Sequence, residues 1–511
     1  MTNPAVAMRM LITYAICIPV AVLMGYLLTN PLDYGTMGFI GLVLLLLVSP
    51  IFIKWHYPIM VFGLGCPMTC FFLIGSPPLS QVVVLISLGL AVVERTTNSE
   101  KRFLNVPAMT WPLLFIFGVV FMTAKLTGGI GFHALGGDTG GGKKYLAVFA
   151  GVATYFALVS QKIPRARWKL YLALYLLAGF AGVFSDLFPV LPSPLNLINL
   201  LFPPSVSLDE NVVVGTTRLG ALSGAFGIVP TYLLARHGLR GIFWTDRLWR
   251  PVLFLACLAL TMLGGFRSVV SWYALLIVLM LFLEGLHRTR VTALLVMICL
   301  MGAMLLGVFS ERLPYTFQRA LCFLPFKWQT EAVMNAQGSS DWRHGIWRAM
   351  WPKVPEYLLL GKGFALSQED YQNIGNGAFS QIRNSHLDAS EEPLAISSDF
   401  HNGPLSTLIP FGLWGGIGMI WLMATTIFCL YRNYKYGDAE LRVFNAYMLA
   451  CGLALIFNFF FIFGAFPNDV NGLARLAGFS IAMNWGVARR PVQPSVNQLI
   501  KPRPLPAPQP A

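Results

Sequence analysis

Charge is scarce in this sequence. Only 11% of its 511 residues are Asp, Glu, Lys or Arg, against about a quarter in soluble domains. That shortage excludes an ordinary soluble enzyme of this length. Cysteine gives no framework either. Of the eight, seven lie in apolar runs and only Cys322 falls in a long polar segment. Cys66-x-x-x-Cys70 has no histidine partner in its apolar surroundings, so neither a disulfide scaffold nor a zinc site is indicated. The period-2 alternation of a membrane barrel is missing, and no internal repeat is visible. The Gly-rich stretch Gly128–Gly142 reads as a flexible loop. It lacks the Lys-Ser/Thr ending of a phosphate-binding loop, which excludes that nucleotide site.

Hydrophobicity is abundant. Apolar residues make up 56% of the chain, the mean hydropathy is +0.65, and runs of about 20 residues recur from Met10 to Ala488. The predicted fold is an all-α polytopic membrane protein. Fourteen candidate spans can be drawn. Several are short, notably 78–94 and 250–266, so the expectation is about 12–14 transmembrane helices. The first run, Met10–Leu28, has no small-residue cleavage site before Asn30 and is read as a retained helix. The net charge of +14 is dispersed over short loops between apolar runs. This pattern fits positive-inside bias and membrane lipid contact, with no nucleic acid partner.

Placing the N-terminus inside gives a consistent charge map. Of the 36 Lys and Arg residues, 22 then fall on inner segments, six on short outer ones and eight on one large loop. That asymmetry sets the orientation, because long loops translocate whatever their charge. The expected organisation is transmembrane helices 1–11 over 1–309, a large external (periplasmic) loop over 310–402, helices 12–14 over 403–488, and a disordered Pro-rich cytoplasmic tail over 489–511. The loop is too long for a passive connector. Within it, Ser339-Ser340-Asp341 offers a helix N-cap. Trp342, Ile346, Trp347, Met350, Trp351 and Val354 then share one helical face, until Pro352 and Pro355 disrupt it. Such a helix either lies at the membrane interface or packs on the rest of the protein.

Arg218, Arg267 and His401 each open an apolar segment, and the charge map puts all three on the outer face. An arginine there can simply snorkel to the headgroups, and a lone histidine at a helix start can be a cap. Arg343 and Lys362, in the loop, would ordinarily be solvated. Taken jointly, two guanidinium groups and an imidazole read as an anion-handling site with a proton acceptor. Guanidinium forks bind phosphate bidentately and keep their charge. Histidine takes up protons near neutral pH. This set suits attack on a glycosyl carbon whose leaving group is a lipid diphosphate. No Asp-x-Asp metal motif lies in an outer loop. An acidic stretch, Asp388, Glu391, Glu392 and Asp399 near His386, keeps a divalent site conceivable.

Four motifs occur in order: Trp342-Arg343-x-x-x-Trp347, Leu360-Gly361-Lys362-Gly363, His401-Asn402-Gly403-Pro404-Leu405 and Gly412-Leu413-Trp414-Gly415. Upstream stand Arg218-Leu219-x-Ala221 and Phe266-Arg267-Ser268. Together they resemble the O-antigen ligase and polymerase superfamily over about residues 200–430. Phe266 replaces a common Ser or Thr, and Ile409-Pro410 stands where a polar residue is common. The resemblance implies a multi-span fold of the type-C glycosyltransferase class with short helices in its periplasmic loop. It also implies a metal- and nucleotide-independent glycosyltransferase of the bacterial inner membrane. The donor would be an undecaprenyl diphosphate-linked glycan, and the acceptor a glycan, a lipid A core or a protein. By residue match, Arg218 and Arg267 would hold the diphosphate and His401 would act as base, with Arg343 and Asn402 supporting. The alternative from another class is a transporter of polysaccharide or lipid-linked glycan, for which repeats, interrupted helices or midplane charges are expected.

Overall fold

In the computed structural model, residues 4–27, 29, 34–73, 75–98, 100, 102–130, 141–187, 198–203, 218–365, 398 and 400–490 are described. Most of the Gly-rich loop, the acidic stretch with His386, and the Pro-rich tail from Pro491 lie outside them. Helices build the described residues, with no named strand among them; an isolated antiparallel bridge joins Thr69 and Pro78.

Residues 1–59 and 60–511 form two compact units. The first holds α1 (Pro4–Leu27) and most of α2 (Tyr34–Gly65). Along α1, Met8, Met10, Leu11, Tyr14, Ile18, Val22, Leu23 and Tyr26 are all exposed. A helix with apolar side chains on several faces suits lipid rather than water.

The second unit contains α3 (Leu79–Thr97), α4 (Pro107–Thr127), α5 (Gly142–Val159), α6 (Trp168–Leu177), α7 (Gly220–Phe243) and α8 (Trp249–Leu260). It continues with α9 (Arg267–Leu283), α10 (Arg290–Phe309), α11 (Tyr315–Leu321) and α12 (Thr330–Met350). It ends with α13 (Gly403–Tyr436), α14 (Arg442–Phe461) and α15 (Phe466–Asn484). Six helical segments are long and apolar enough to cross a membrane: α3, α4, 165–186, 290–312, α13 and 439–461. Shorter apolar helices cover 13–27, 249–264 and 267–283. The chain is a multi-pass all-α membrane protein.

The packed centre lies among α4, α5, α13 and α15. Met109, Leu113, Ile116 and Val120 of α4 meet Val148, Val152 and Tyr155 of α5. Leu422 and Met419 of α13 and Val470 and Leu473 of α15 complete it. Lipid is as apolar as leucine, so close fit rather than water exclusion must hold such helices together. Gly478 on α15 permits that fit, since a Cβ there would lie 3.1 Å from Leu158 of α5.

One of these helices is broken. Gly412 in α13 has φ 59° and ψ −156°, a region essentially restricted to glycine. It separates a short first segment, beginning at Asn402-Gly403, from the long apolar remainder. The break is bridged by the chain after α12. Lys362 N donates to Ile409 O at 2.8 Å, Gly363 N to Pro410 O at 2.9 Å, and Leu413 N to Leu358 O at 2.7 Å. The Leu360-Gly361-Lys362-Gly363 motif is accounted for by this backbone pairing. Gly361 has φ 74°, and a Cβ on it would meet Pro410 O at 2.2 Å.

Candidate functional site

The turn before α9 is the point on which the cationic residues converge. Gly264-Gly265-Phe266 links α8 to Arg267, the first residue of α9. Arg218 Nε donates to Gly264 O at 3.3 Å, and its guanidinium carbon stands 4.8 Å from the centre of the Phe266 ring. The phenylalanine that departs from the family pattern thus supplies a face for a cation. Arg218 precedes α7, whose first turn is held by the Asp186 carboxylate, which accepts from Leu222 N at 2.7 Å. A carboxylate there satisfies an amide that the helix itself cannot.

Arg267 reaches across to α12. Its Nη2 donates to Ala336 O and to Ser340 Oγ, each at 2.8 Å. Ser340 was expected to cap a helix beginning near Ser339. Instead α12 starts at Thr330, and Ser340 lies mid-helix with its hydroxyl taking the arginine. The earlier start is anchored by α11, whose Gln318 Oε1 accepts from Gln329 N at 2.9 Å. The helix also packs on the protein. Ile346, Met350 and the following Val354 are buried against Phe400, Leu405 and Ile409, while Trp351 remains 46% exposed.

α12 connects the arginines to His401. Ala336, Ser340, Arg343 and Trp347 succeed one another at steps of four, three and four residues, so they share one face. From Ser340 to Trp347 that face rises about 10 Å. At its lower end it receives Arg267. At its upper end Trp347 Nε1 donates to Phe400 O at 2.8 Å, one residue before His401. Arg343 lies between, half-buried, and its Nε has no hydrogen-bond partner among the described residues.

His401 is held in an unusual backbone conformation, with φ 50°. A left-handed backbone costs an L-residue with a side chain about 1–2 kcal/mol, so the neighbours must impose it. Its ring lies 4.7 Å from that of Phe463. Next to it, Asn402 is the N-cap of α13, its Oδ1 accepting from Leu405 N at 3.0 Å. Gly403 sits directly on the end of α14, where a Cβ would meet the Phe459 ring at 2.4 Å. Ser406 Oγ donates to Gly464 O at 3.1 Å. In His-Asn-Gly-Pro, the asparagine caps, the glycine permits contact and the proline occupies the first helical turn.

The arginine cluster is larger than the sequence suggested. Arg319, on α11, is buried beside Arg218 and Arg267. Its Nη1 donates to Gly265 O and its Nε to Asn335 Oδ1, both at 2.6 Å. In the sequence it is one of the eight Lys and Arg residues of the large loop. The available signal was its place in Thr316-Phe317-Gln318-Arg319-Ala320-Leu321, which is mostly buried. Burial and the neighbouring Arg218 push the Arg319 guanidinium down to about 10. Burial also lowers Arg218 and, with Arg267 adding to it, Arg343. Tyr315 lies near Arg218 and Arg319, its hydroxyl buried with no hydrogen-bond partner among the described residues, and burial raises its phenol above the usual range. Like charges held close together, Arg319 with Arg218 and Arg267, and Arg343 with Arg267, make an arrangement suited to an anion. Among the described residues, no group of three or more His, Cys, Asp and Glu is placed to hold a metal.

These features define a class: an all-α membrane protein whose arginines gather around the turn before α9, with one helix linking that turn to the residue before a helix-start histidine. Residues 252–420, about a third of the chain, match the O-antigen ligase family model. This region is of the O-antigen ligase type, as its motifs implied. The match takes in Arg267, Arg319, Arg343, Asn402 and His401; Arg218 lies before it. No curated protein matches the chain.

Proposed function

We propose that this protein is an inner-membrane glycosyltransferase that moves a glycan from an undecaprenyl diphosphate carrier to an acceptor hydroxyl on the periplasmic face. Arg218 and Arg267 hold the diphosphate. His401 takes the proton of the acceptor hydroxyl as its oxygen attacks the glycosyl carbon. The bond from that carbon to the phosphate oxygen breaks, and the carrier diphosphate leaves with the electron pair. Guanidinium charge offsets the negative charge that develops on it. Arg343 supports the phosphate end, and Asn402 fixes the start of α13 on which His401 stands. No metal or nucleotide enters the reaction as proposed. The organisation that goes with this reading is a periplasmic loop over 310–402 between membrane helices 1–309 and 403–488, with a cytoplasmic tail over 489–511.

The observation that carries the reading is α12, which takes Arg267 on Ala336 and Ser340 and Phe400 on Trp347. The test uses the full chain in lipid nanodiscs with an undecaprenyl diphosphate-linked glycan and a candidate acceptor, either lipid A core, polysaccharide or protein. Release of undecaprenyl diphosphate coupled to acceptor elongation is expected. The interrupted helix α13 favours a second reading, transport of a lipid-linked glycan, because transporters use such breaks at their sites. Movement of the lipid-linked glycan across proteoliposomes without any transfer would establish that reading instead.

A further inference from the structure

Both glycines of the turn before α9 accept a hydrogen bond from an arginine, and the turn ends on a third. Gly264 takes Arg218, Gly265 takes Arg319, and Arg267 itself reaches Ala336 and Ser340. Arg319 also holds Asn335, the residue before Ala336. Arg319 and Arg267 are therefore two adjacent staples between the same pair of elements, the turn and α12. Arg267 is a staple that a ligand can also engage, since its bonds to α12 use Nη2. Arg319 is only 6% exposed and spends its Nε and Nη1 inside the protein.

We propose that Arg319 is a positioning residue, fixing the Gly264–Arg267 turn against α12 so that Arg218 and Arg267 present their charge to a lipid diphosphate. The proposal rests on the reading of Arg218 and Arg267 as the diphosphate clamp. Stability alone does not explain an arginine here. A buried guanidinium beside two others costs desolvation and repulsion, and a well-packed apolar residue would serve the fold as well or better. What an apolar residue cannot do is bond one carbonyl on the turn and one amide oxygen on α12 at once. Lysine serves less well, because its three donors radiate from one nitrogen and do not span the separation of Nε and Nη1. The left-handed Gly265, φ 65°, turns its carbonyl to Arg319 Nη1.

The test measures the Kd of radiolabelled undecaprenyl diphosphate for the full chain in nanodiscs, together with donor and acceptor KM. Arg319→Gln is expected to weaken diphosphate binding about tenfold, equivalent to about 1.4 kcal/mol, and to raise donor KM in parallel. Acceptor KM should stay within about twofold of wild type, on the same scale. Arg319→Lys should remain impaired despite its charge, and Asn335→Leu should weaken binding by a smaller factor. Wild-type Kd in Arg319→Gln overturns the proposal, as does full restoration by Arg319→Lys, which would reduce the residue to a source of charge. A purely structural role would lower the amount of folded protein and leave the Kd of the remainder unchanged. If Arg319→Gln does not fold, wild-type Kd in both Arg319→Lys and Asn335→Leu overturns it. His401→Ala serves as reference and should keep the Kd while losing transfer. Failure of the wild type to bind undecaprenyl diphosphate would overturn the diphosphate reading itself, and this proposal with it.

Discussion

Arg267 Nη2 lies 2.8 Å from Ser340 Oγ, so the first residue of one membrane helix is tied to the middle of a helix in the following large loop. The same nitrogen bonds Ala336 O. Two consequences differ in size. Arg267→Lys loses the fork, and one ammonium must choose between α12 and the diphosphate. Ser340→Ala loses one bond to a charged donor while Ala336 O keeps the other.

Hydrogen bonds to charged groups contribute about 1.5–3 kcal/mol each. Arg267→Lys is expected to reduce transfer at least about tenfold, the equivalent of one such bond, and Ser340→Ala by a smaller factor than Arg267→Lys because Ala336 O still holds the guanidinium. Transfer from a lipid-linked glycan in membranes with matched expression would show the order. A snorkelling arginine would tolerate lysine well. Near-normal transfer by Arg267→Lys would therefore remove it from the site.

His401 yields a second prediction because its backbone and side chain can be separated. At φ 50°, glycine is conformationally favoured over any residue with a Cβ. His401→Gly should hold or gain stability, up to about 1 kcal/mol. Both His401→Gly and His401→Ala should lose transfer by about 10²–10⁴-fold, the usual cost of removing a general base. Thermal unfolding in detergent and the transfer assay read the two effects independently. Activity retained in the glycine variant would assign His401 a cap or surface role.

Helix class, the apolar runs and the polar residues that open them were legible in the sequence because hydropathy and end chemistry are local. Arg218, Arg267 and His401 stood out for the same reason: a charge opening an apolar run is costly wherever the chain goes. Arg319 did not, because its neighbours Gly265 and Asn335 are 54 and 16 residues away. The start of α12 was misplaced for a related cause. Ser339-Ser340-Asp341 is good cap chemistry, but the tertiary bond from Arg267 engages Ser340, and Gln318 fixes the true start. Lys362 drew notice as a charge, whereas its segment matters through backbone pairing with a helix break that periodicity cannot show.

Membrane topology gives a third prediction. Lys162 and Arg165 lie 5.8 and 5.0 Å from the Trp485 ring, a cationic and aromatic grouping suited to an interface. The segments 162–169, 236–250 and 287–290 are expected to be cytoplasmic and 310–402 periplasmic. Alkaline phosphatase fused after Arg165 should be inactive, and fused after Gln337 active. The opposite pair of results would invert the map and place the arginines on the wrong side for a periplasmic reaction.

The break in α13 supplies the last prediction. Gly412 occupies φ 59°, ψ −156°, and a Cβ there would stand 2.5 Å from Leu358 O. Gly412→Ala therefore meets two penalties. The backbone region costs a residue with a side chain about 1–3 kcal/mol, and the clash falls on a carbonyl that already accepts from Leu413 N. Relief requires either moving the 358–363 segment or straightening the helix. Either change shifts the short segment that begins beside His401, so activity should fall further than stability alone explains. Leu413→Ala in the same helix keeps the backbone bond and removes only a 44% exposed side chain, so it should cost little. Unfolding midpoints and transfer rates of the two variants test this. Equal, mild effects from both would mean that the break has no part in holding His401.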